Sequence, residues 1–210
     1  MAGARLIVIG ASGHGRVAAD CATAMGTWDT IVFLDAGWPG LERTGRWPVI
    51  GSERAVFELA GERDEVFVAI GASLIRRNIL RQLEIARVRI ASISHPSAIV
   101  SSDGAIGPGC LLAPGSIVNI GSRIGIGCIV NTGASVDHDC ELGDGVHICP
   151  GARLAGDVRV GEGSWIGIGA AVRQGIRIGA GVTIGAGAAV VCDIADGVTA
   201  VGTPARPITR

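Results

Sequence analysis

The chain has 210 residues, 48% of them apolar and 18% charged, with a formal net charge of −1. That apolar content excludes a disordered chain, and the near-neutral charge lacks the basic excess with which proteins usually hold nucleic acid or an anionic membrane. Aromatic residues make up only 3%, Tyr is absent and 34 residues are Gly, so the core must be filled without large rings.

No run of 18 apolar residues occurs, and Leu6-Ile-Val-Ile9 passes directly into a glycine loop without the apolar region and cleavage site of a signal peptide. The cytoplasm is therefore the expected compartment. Leu6–Ile9 predicts a buried strand, Gly10-Ala-Ser-Gly-His-Gly15 a loop, and Val17, Ala18, Cys21 and Met25 the apolar positions of a helix. Ile31-Val-Phe-Leu34 predicts a second strand ended by Asp35, after which residues 36–48 mix Gly, Pro, Trp and charge without a readable pattern. Val66-Phe-Val-Ala-Ile70 predicts a third strand leading to Gly71, followed by a helix whose face is Ile75, Ile79, Leu80 and Leu83. This alternation predicts a small Rossmann-like α/β domain with a parallel sheet over residues 1–93.

The glycine loop falls where a strand hands over to a helix, and free N–H groups and the helix dipole attract phosphate there. Its spacing is G-x-x-G-x-G rather than G-x-G-x-x-G, which fits either a phosphate loop or a tight strand-to-helix turn. Asp35 follows at the distance from which a carboxylate accepts hydrogen bonds from a ribose or base, and it fits a strand-end turn equally well.

From residue 94 onward the pattern changes. Every sixth residue from Ile106 through Leu112, Val118, Ile124, Val130, Val136, Leu142, Ile148, Leu154, Val160, Ile166, Val172, Ile178, Ile184 and Val190 is Ile, Leu or Val. Two residues earlier the chain places small or slim groups such as Cys110, Ser116, Cys128, Ala134, Cys140 and Ala152, and one residue later Gly, Asn or Asp is frequent. Each hexad is expected to form one short strand and one bend, with these following Gly and Asn residues taking positive φ at the corners. Three hexads close a triangular coil, and about five coils stack into an all-β parallel β-helix over 94–210 whose aliphatic column fills the prism.

Within these repeats Asn131-Thr-Gly-Ala-Ser-Val-Asp-His-Asp-Cys140 stands out. His138 lies two positions past the inward Val136, so its side chain is expected outside the core, with Asp137 and Asp139 beside it to raise its basicity. His147 is nine residues further on, half a coil, which places the two histidines on opposite sides of one prism. The six cysteines contain no C-x-x-C pair and are read as reduced, structural thiols; Cys140 falls in the inward column and is not expected to be a nucleophile.

The glycine loop, Phe33-Leu-Asp35, Ala69-Ile-Gly71, the His95-Pro96-Ser-Ala98 junction and the hexads together resemble the PglD/NeuD-like family of sugar O- and N-acetyltransferases. That resemblance implies a left-handed β-helix and direct acetyl transfer from acetyl-CoA to an amino group of a nucleotide-linked 4-amino-4,6-dideoxy sugar carried on UDP or GDP. It implies His138 as general base oriented by Asp139, with Ser12, Gly13 and His14 meeting the diphosphate and Asp35 and Gly71 nearer the nucleoside. Relatives that use UDP-sugars often carry two acidic residues after the second strand, whereas Ala36 follows Asp35 here. Acetyl-CoA is expected against Asn131, His147, Ile168 and Ala186, with the Gly156 N–H on the oxyanion. The ending Val201-Gly-Thr-Pro-Ala-Arg206 resembles the tail that packs by the CoA nucleotide, so Arg206 pairs with a phosphate or is simply a solvated charge. The family implies a homotrimer with active sites between subunits and no metal. Trp165, just before the inward Ile166, is expected outside the coil, against a neighbouring subunit or an adenine, with the interface favoured. The competing readings are sugar O-acetylation, which the same base serves, a non-catalytic scaffold, and a carbonic-anhydrase-like β-helix, for which His138 and His147 are one ligand short.

Overall fold

The computed structural model describes residues 4–208. The described residues up to Pro96 form one compact unit and those from Ser97 onward a second.

In the first unit, β1 (Arg5–Ile9), β2 (Thr30–Leu34), β4 (Trp47–Gly51) and β5 (Glu65–Val68) run parallel, and β3 (Arg43–Thr44) pairs antiparallel with β4, in the order β3-β4-β2-β1-β5. Leu6, Ile7, Val8 and Ile9 are wholly buried, as are Phe33 and Leu34, which is why β1 reads as a continuous apolar run and not an alternation. Residues 36–48, unreadable as sequence, contain β3 and the start of β4; strands this short give period-2 alternation too few residues to show. The chain builds outward from β1 to β2 and β4, then returns to the other side of β1 as β5. The switch point of the sheet therefore lies at the carboxyl ends of β1 and β5.

Two 13-residue helices start at that edge. In α1 (Gly13–Met25) Gly15, Ala18, Ala19, Cys21 and Ala22 are buried, and Gly26 ends it in the left-handed conformation. In α3 (Ser73–Ile85), which follows the one-turn α2 (Val56–Leu59), the buried face differs from the expected one: Arg76, Leu80 and Leu83 face inward while Ile75 is 51% exposed. The i, i+4, i+7 stripe through Arg76 competes with the neighbouring stripe through Ile75, and the helix is turned so that the arginine lies inside.

The second unit is a three-sided parallel coil. Its first face stacks Ile99–Val100, Ile117–Val118, Ser135–Val136, Arg153–Leu154, Ala171–Val172 and Ala189–Val190. The second stacks Ala105–Ile106, Arg123–Ile124, Glu141–Leu142, Arg159–Val160 and Arg177–Ile178. The third carries Leu111–Leu112, Ile129–Val130, His147–Ile148, Trp165–Ile166 and Thr183–Ile184, then Thr199–Val201 and, antiparallel, Arg206–Ile208. From Ile117–Val118 up to Ala189–Val190 each strand pairs with the one 18 residues before it, as Arg153 with Ser135, whereas Thr183 pairs with Thr199 only 16 residues on. The inward column from Val118 to Val190 is buried throughout, and the slim residues two places earlier share that core. Cys110, Cys128 and Cys140 donate Sγ–H to the carbonyls of Gly125, Gly143 and Ala155, while Ser164 Oγ donates to Gly179 O, so these thiols and hydroxyls are satisfied inside.

The corners differ from expectation in one respect. From Ile106 to Ile184, positive φ falls on the third residue after each inward aliphatic, as at Gly133 (φ +63), and not on the first. The glycine directly after the aliphatic meets another demand: a Cβ on Gly125 would come 2.8 Å from the backbone of the coil above, so coil spacing requires it. Among the described residues of the coil, Asp139 (φ +59) and Asp157 (φ +54) are the non-glycine residues with positive φ, one directly above the other. No helix among the described residues is long and apolar enough to cross a membrane.

Candidate functional site

At the corner between the first and second faces, Ile120, His138, Gly156 and Gln174 stack at 18-residue intervals. The strand Ser135–Val136 fixes where the chain turns, and the turn projects His138 outward beside Asp139. Nδ1–H of His138 donates to Asp139 Oδ2 at 2.8 Å, which leaves the Nε2 lone pair facing outward. Asp137 Oδ1 accepts from the backbone N–H of His138 and from Asn119 Nδ2, each at 2.8 Å, and these bonds, Asn119's first, hold its carboxyl below the usual range. The imidazole itself is lifted above its ordinary value, chiefly by the hydrogen bond to Asp139, against an opposing desolvation and with the charges of Asp137, Asp139 and Asp157 adding to the lift.

Gly156 explains how the ring sits. A Cβ there would lie 2.4 Å from both Cε1 and Nε2 of His138, so the imidazole lies directly over the glycine backbone. The Gly156 N–H has no hydrogen-bond partner among the described residues, and its carbonyl accepts from Gly175. The imidazole and a backbone donor are thus adjacent. Cys140, by contrast, is buried and its thiol is pushed up to about 11 by that burial, which removes it as a nucleophile at neutral pH.

The other expected acetyl-CoA contacts lie elsewhere on the coil. Ile168 is 58% exposed and Ala186 is exposed one coil above it, at the corner between the third and first faces. His147 lies on the third face, across the prism from the His138 corner as half a coil demands. It is only 5% exposed: Asn131 Nδ2 donates to its Nε2 at 3.0 Å, and the Trp165 ring packs against it at 4.2 Å between centroids. Trp165 does point out of the coil, but part of its face is spent on His147. Arg206 is exposed and donates from Nη1 to Ala205 O. Among the described residues no group of three or more His, Cys, Asp or Glu side chains is placed to hold a metal ion.

In the α/β unit the glycines divide into two kinds. Gly10 has φ +101, and a Cβ on Gly15 would fall 2.0 Å from Gly10 O; both are required by the turn and by packing. A Cβ on Gly13 or on Gly71 would meet nothing within 4 Å. Gly13 opens α1, where Gly costs about 1 kcal/mol against Ala, so neither sterics nor propensity accounts for it. Ser12 stands at the N-cap without a side-chain cap bond. His14 is half-buried, and burial first, then the charge of Arg76, pushes its imidazole down to about 4, so it is neutral at pH 7. Asp35 Oδ2 accepts from the Ala11 N–H and Oδ1 from the Gly37 N–H, so this carboxylate ties the glycine loop to the end of β2. Thr44, in the segment that sequence left unread, adds a bond from Oγ1 to Ala11 O. Arg76 also went unread, because a lone arginine among helical leucines carries no signal of burial.

Residues 5–83 match the PglD N-terminal domain family, and residues 157–191 match the bacterial transferase hexapeptide family. Over 107 residues the chain is 38% identical to the UDP-N-acetylbacillosamine N-acetyltransferase of Bacillus subtilis, a stretch that covers 50% of this chain and 49% of that protein. The acetyltransferase domain of PglB from Neisseria gonorrhoeae in complex with acetyl coenzyme A is 45% identical, with a TM-score of 0.94, covering 97% of this chain and 98% of that one. PerB from Caulobacter crescentus in complex with CoA and GDP-perosamine is 37% identical, with a TM-score of 0.91 and 97% of both chains covered. The stacked coil is the left-handed β-helix of these proteins, and the chain belongs to the PglD-type family of hexapeptide-repeat acetyltransferases.

Proposed function

We propose that this chain transfers the acetyl group of acetyl-CoA to the amino group of a nucleotide-linked 4-amino-4,6-dideoxy sugar carried on UDP or GDP, with His138 as general base. The observation that carries this reading is the His138–Asp139 pair over Gly156. The amine nitrogen attacks the thioester carbonyl carbon, Nε2 of His138 takes the proton the nitrogen sheds, the C–S bond breaks, and CoA leaves as a thiolate that is then protonated. Asp139 holds the tautomer and stabilises the imidazolium, and the Gly156 N–H is available to the oxyanion. No acyl-enzyme is formed.

Three carboxylates face this corner, and they favour an acceptor that arrives as an ammonium over a neutral hydroxyl; the ammonium gives one proton to solvent before its nitrogen attacks and His138 takes the second, which supports N- rather than O-acetylation. Relatives that act on UDP-bound and GDP-bound amino sugars support the substrate class. In the α/β unit the open space at Gly13 and Gly71, the uncapped start of α1 and the neutral His14 suit a diphosphate and nucleoside.

At the β-helix, exposed Ile168 and Ala186 suit the apolar stretch of the pantetheine arm. They occupy a different corner from His138, so one copy's base meets another copy's acetyl-CoA surface only across an interface, which supports a homotrimer with active sites between subunits. All six cysteines are free, in keeping with a reaction in the reducing cytoplasm.

The test is CoA thiol release from acetyl-CoA with UDP- and GDP-linked 4-amino-4,6-dideoxy sugars and their 4-hydroxy counterparts. Turnover of an amino sugar with CoA and amide formed one to one is expected. Turnover of the hydroxy sugars alone would replace this reading by O-acetylation, and turnover of none would remove it.

A further inference from the structure

Arg76 is the largest fully buried side chain among the described residues, with none of its surface exposed. A guanidinium stays charged at any pH a protein survives, and taking it out of water costs several kcal/mol unless carbonyl dipoles or an anion compensate. Its Nη1 donates to Ile70 O at 2.6 Å and to Gly71 O at 2.8 Å. These carbonyls belong to the turn between β5 and α3, at the sheet's switch point, since Ile9 pairs with Val68. The turn also touches the glycine loop: a Cβ on Gly10 would lie 2.9 Å from Ala69 O.

Drawing the Ile70 and Gly71 carbonyls inward fixes the orientation of the peptide units that lead into α3. Both 13-residue helices begin at this edge, and neither carries an acidic residue in its first turn or a side-chain cap bond. A cation in the first turn of a helix opposes the helix dipole, yet Arg76 occupies that place in α3. Two helix N-termini and a buried guanidinium thus add positive potential at one edge. The carboxylate beside them, Asp35, has both oxygens engaged by backbone N–H groups.

We propose that Arg76 is a positioning residue for the diphosphate of the nucleotide sugar: it fixes the Ile70–Gly71 turn against the ligand and supplies a buried positive charge behind the glycine loop. This inference rests on the nucleotide-sugar reading above. The neutral His14, whose imidazole Arg76 helps to hold unprotonated, contributes a neutral ring and leaves the full charge to Arg76.

The experiment compares the full-length wild type with Arg76→Gln and Arg76→Lys in steady-state turnover and in titrations with UDP and GDP. A charge acting on the diphosphate through a low-dielectric interior implies that Arg76→Gln raises KM for the nucleotide sugar and the nucleoside diphosphate Kd by about tenfold or more, while kcat and KM for acetyl-CoA stay within about twofold. Arg76→Lys, which keeps the charge, is expected to recover most of that affinity. Equal losses in both variants, or a loss in kcat with unchanged KM, would overturn the charge role.

If the glutamine variant fails to fold, the His14 ring of the wild type is followed by NMR across pH 4–7 with and without inorganic pyrophosphate. An anion facing Arg76 shields His14, so its titration moves upward; a midpoint unmoved by saturating pyrophosphate overturns the proposal. A wild type that binds neither UDP nor GDP and turns over no nucleotide sugar refutes the functional reading instead, so the two failures are distinguishable.

Discussion

The two units bury their cores by opposite means. In the β-helix one demand is met again and again: an aliphatic residue inward, a slim residue two places before, a glycine at the corner. In the α/β unit each demand occurs once, and Gly15 under Gly10 O, Arg76 under the Ile70–Gly71 turn and Thr44 on Ala11 O have no counterparts. Repetition makes exceptions visible. The aspartates at two stacked corners, where glycine is the rule, mark the segment in which the coil departs from its own pattern, and it is there that His138 stands.

The largest expected effect breaks the β-helix at that exception. His138→Asn keeps a polar group of similar reach but removes the proposed base, and kcat/KM should fall by about 10²–10⁴. Thermal stability should be unchanged, because the side chain is 56% exposed and lies outside the core. Steady-state kinetics with a melting curve checks both; a variant that retains a third of its activity would move the base elsewhere.

Gly156→Ala sharpens the same comparison one coil above. The backbone φ at Gly156 is ordinary, so alanine is accommodated by the chain, but its methyl would occupy the place of the imidazole and turn it off the lone-pair direction. We expect kcat to fall by about 10- to 100-fold, with KM for acetyl-CoA little changed, since misplacement of a catalytic group costs about that much. The same substitution at Gly161 meets backbone, with Ala180 N 2.4 Å from the new Cβ, and should lower stability rather than chemistry.

How much was legible follows from this contrast. The β-helix, its three faces and the outward place of His138 between Asp137 and Asp139 were readable because a period fixes which way each residue points, whereas the choice of Asp139 as the ring's partner came from the family resemblance. The corner glycines were misplaced by two positions, since aliphatic periodicity does not distinguish a glycine needed for φ from one needed for coil spacing. In the α/β unit, strands β1, β2 and β5 and helix α1 were readable from apolar runs, whereas α3 was turned by one residue because two stripes competed. Asp35 was placed correctly at the strand end, but its hydrogen bonds to Ala11 and Gly37 depend on how the loop folds back. The burial of His147 between Asn131 and Trp165 needed the 18-residue pairing of side chains on one face, which repeat counting supplies only once the face is known.

The smallest effects separate the carboxylates around His138, which are Asp137 and Asp139 from its own turn and Asp157 from the coil above. A base must be unprotonated to act, so its raised pKa sets the acid limb of the kcat/KM profile above the ordinary imidazole value of about 6.5. Asp139→Asn removes the largest cause of that lift, and asparagine tolerates the left-handed backbone at this corner. The acid limb should move to lower pH while the plateau falls by about tenfold, as the ring loses both basicity and its fixed tautomer. Asp157→Asn removes only the weakest of the raising charges. It should move the limb in the same direction by less and leave the plateau within about twofold, because no hydrogen bond to the ring is lost. A pH profile in which Asp157→Asn shifts the limb further than Asp139→Asn would mean that the coil above, not the turn that carries His138, sets its basicity.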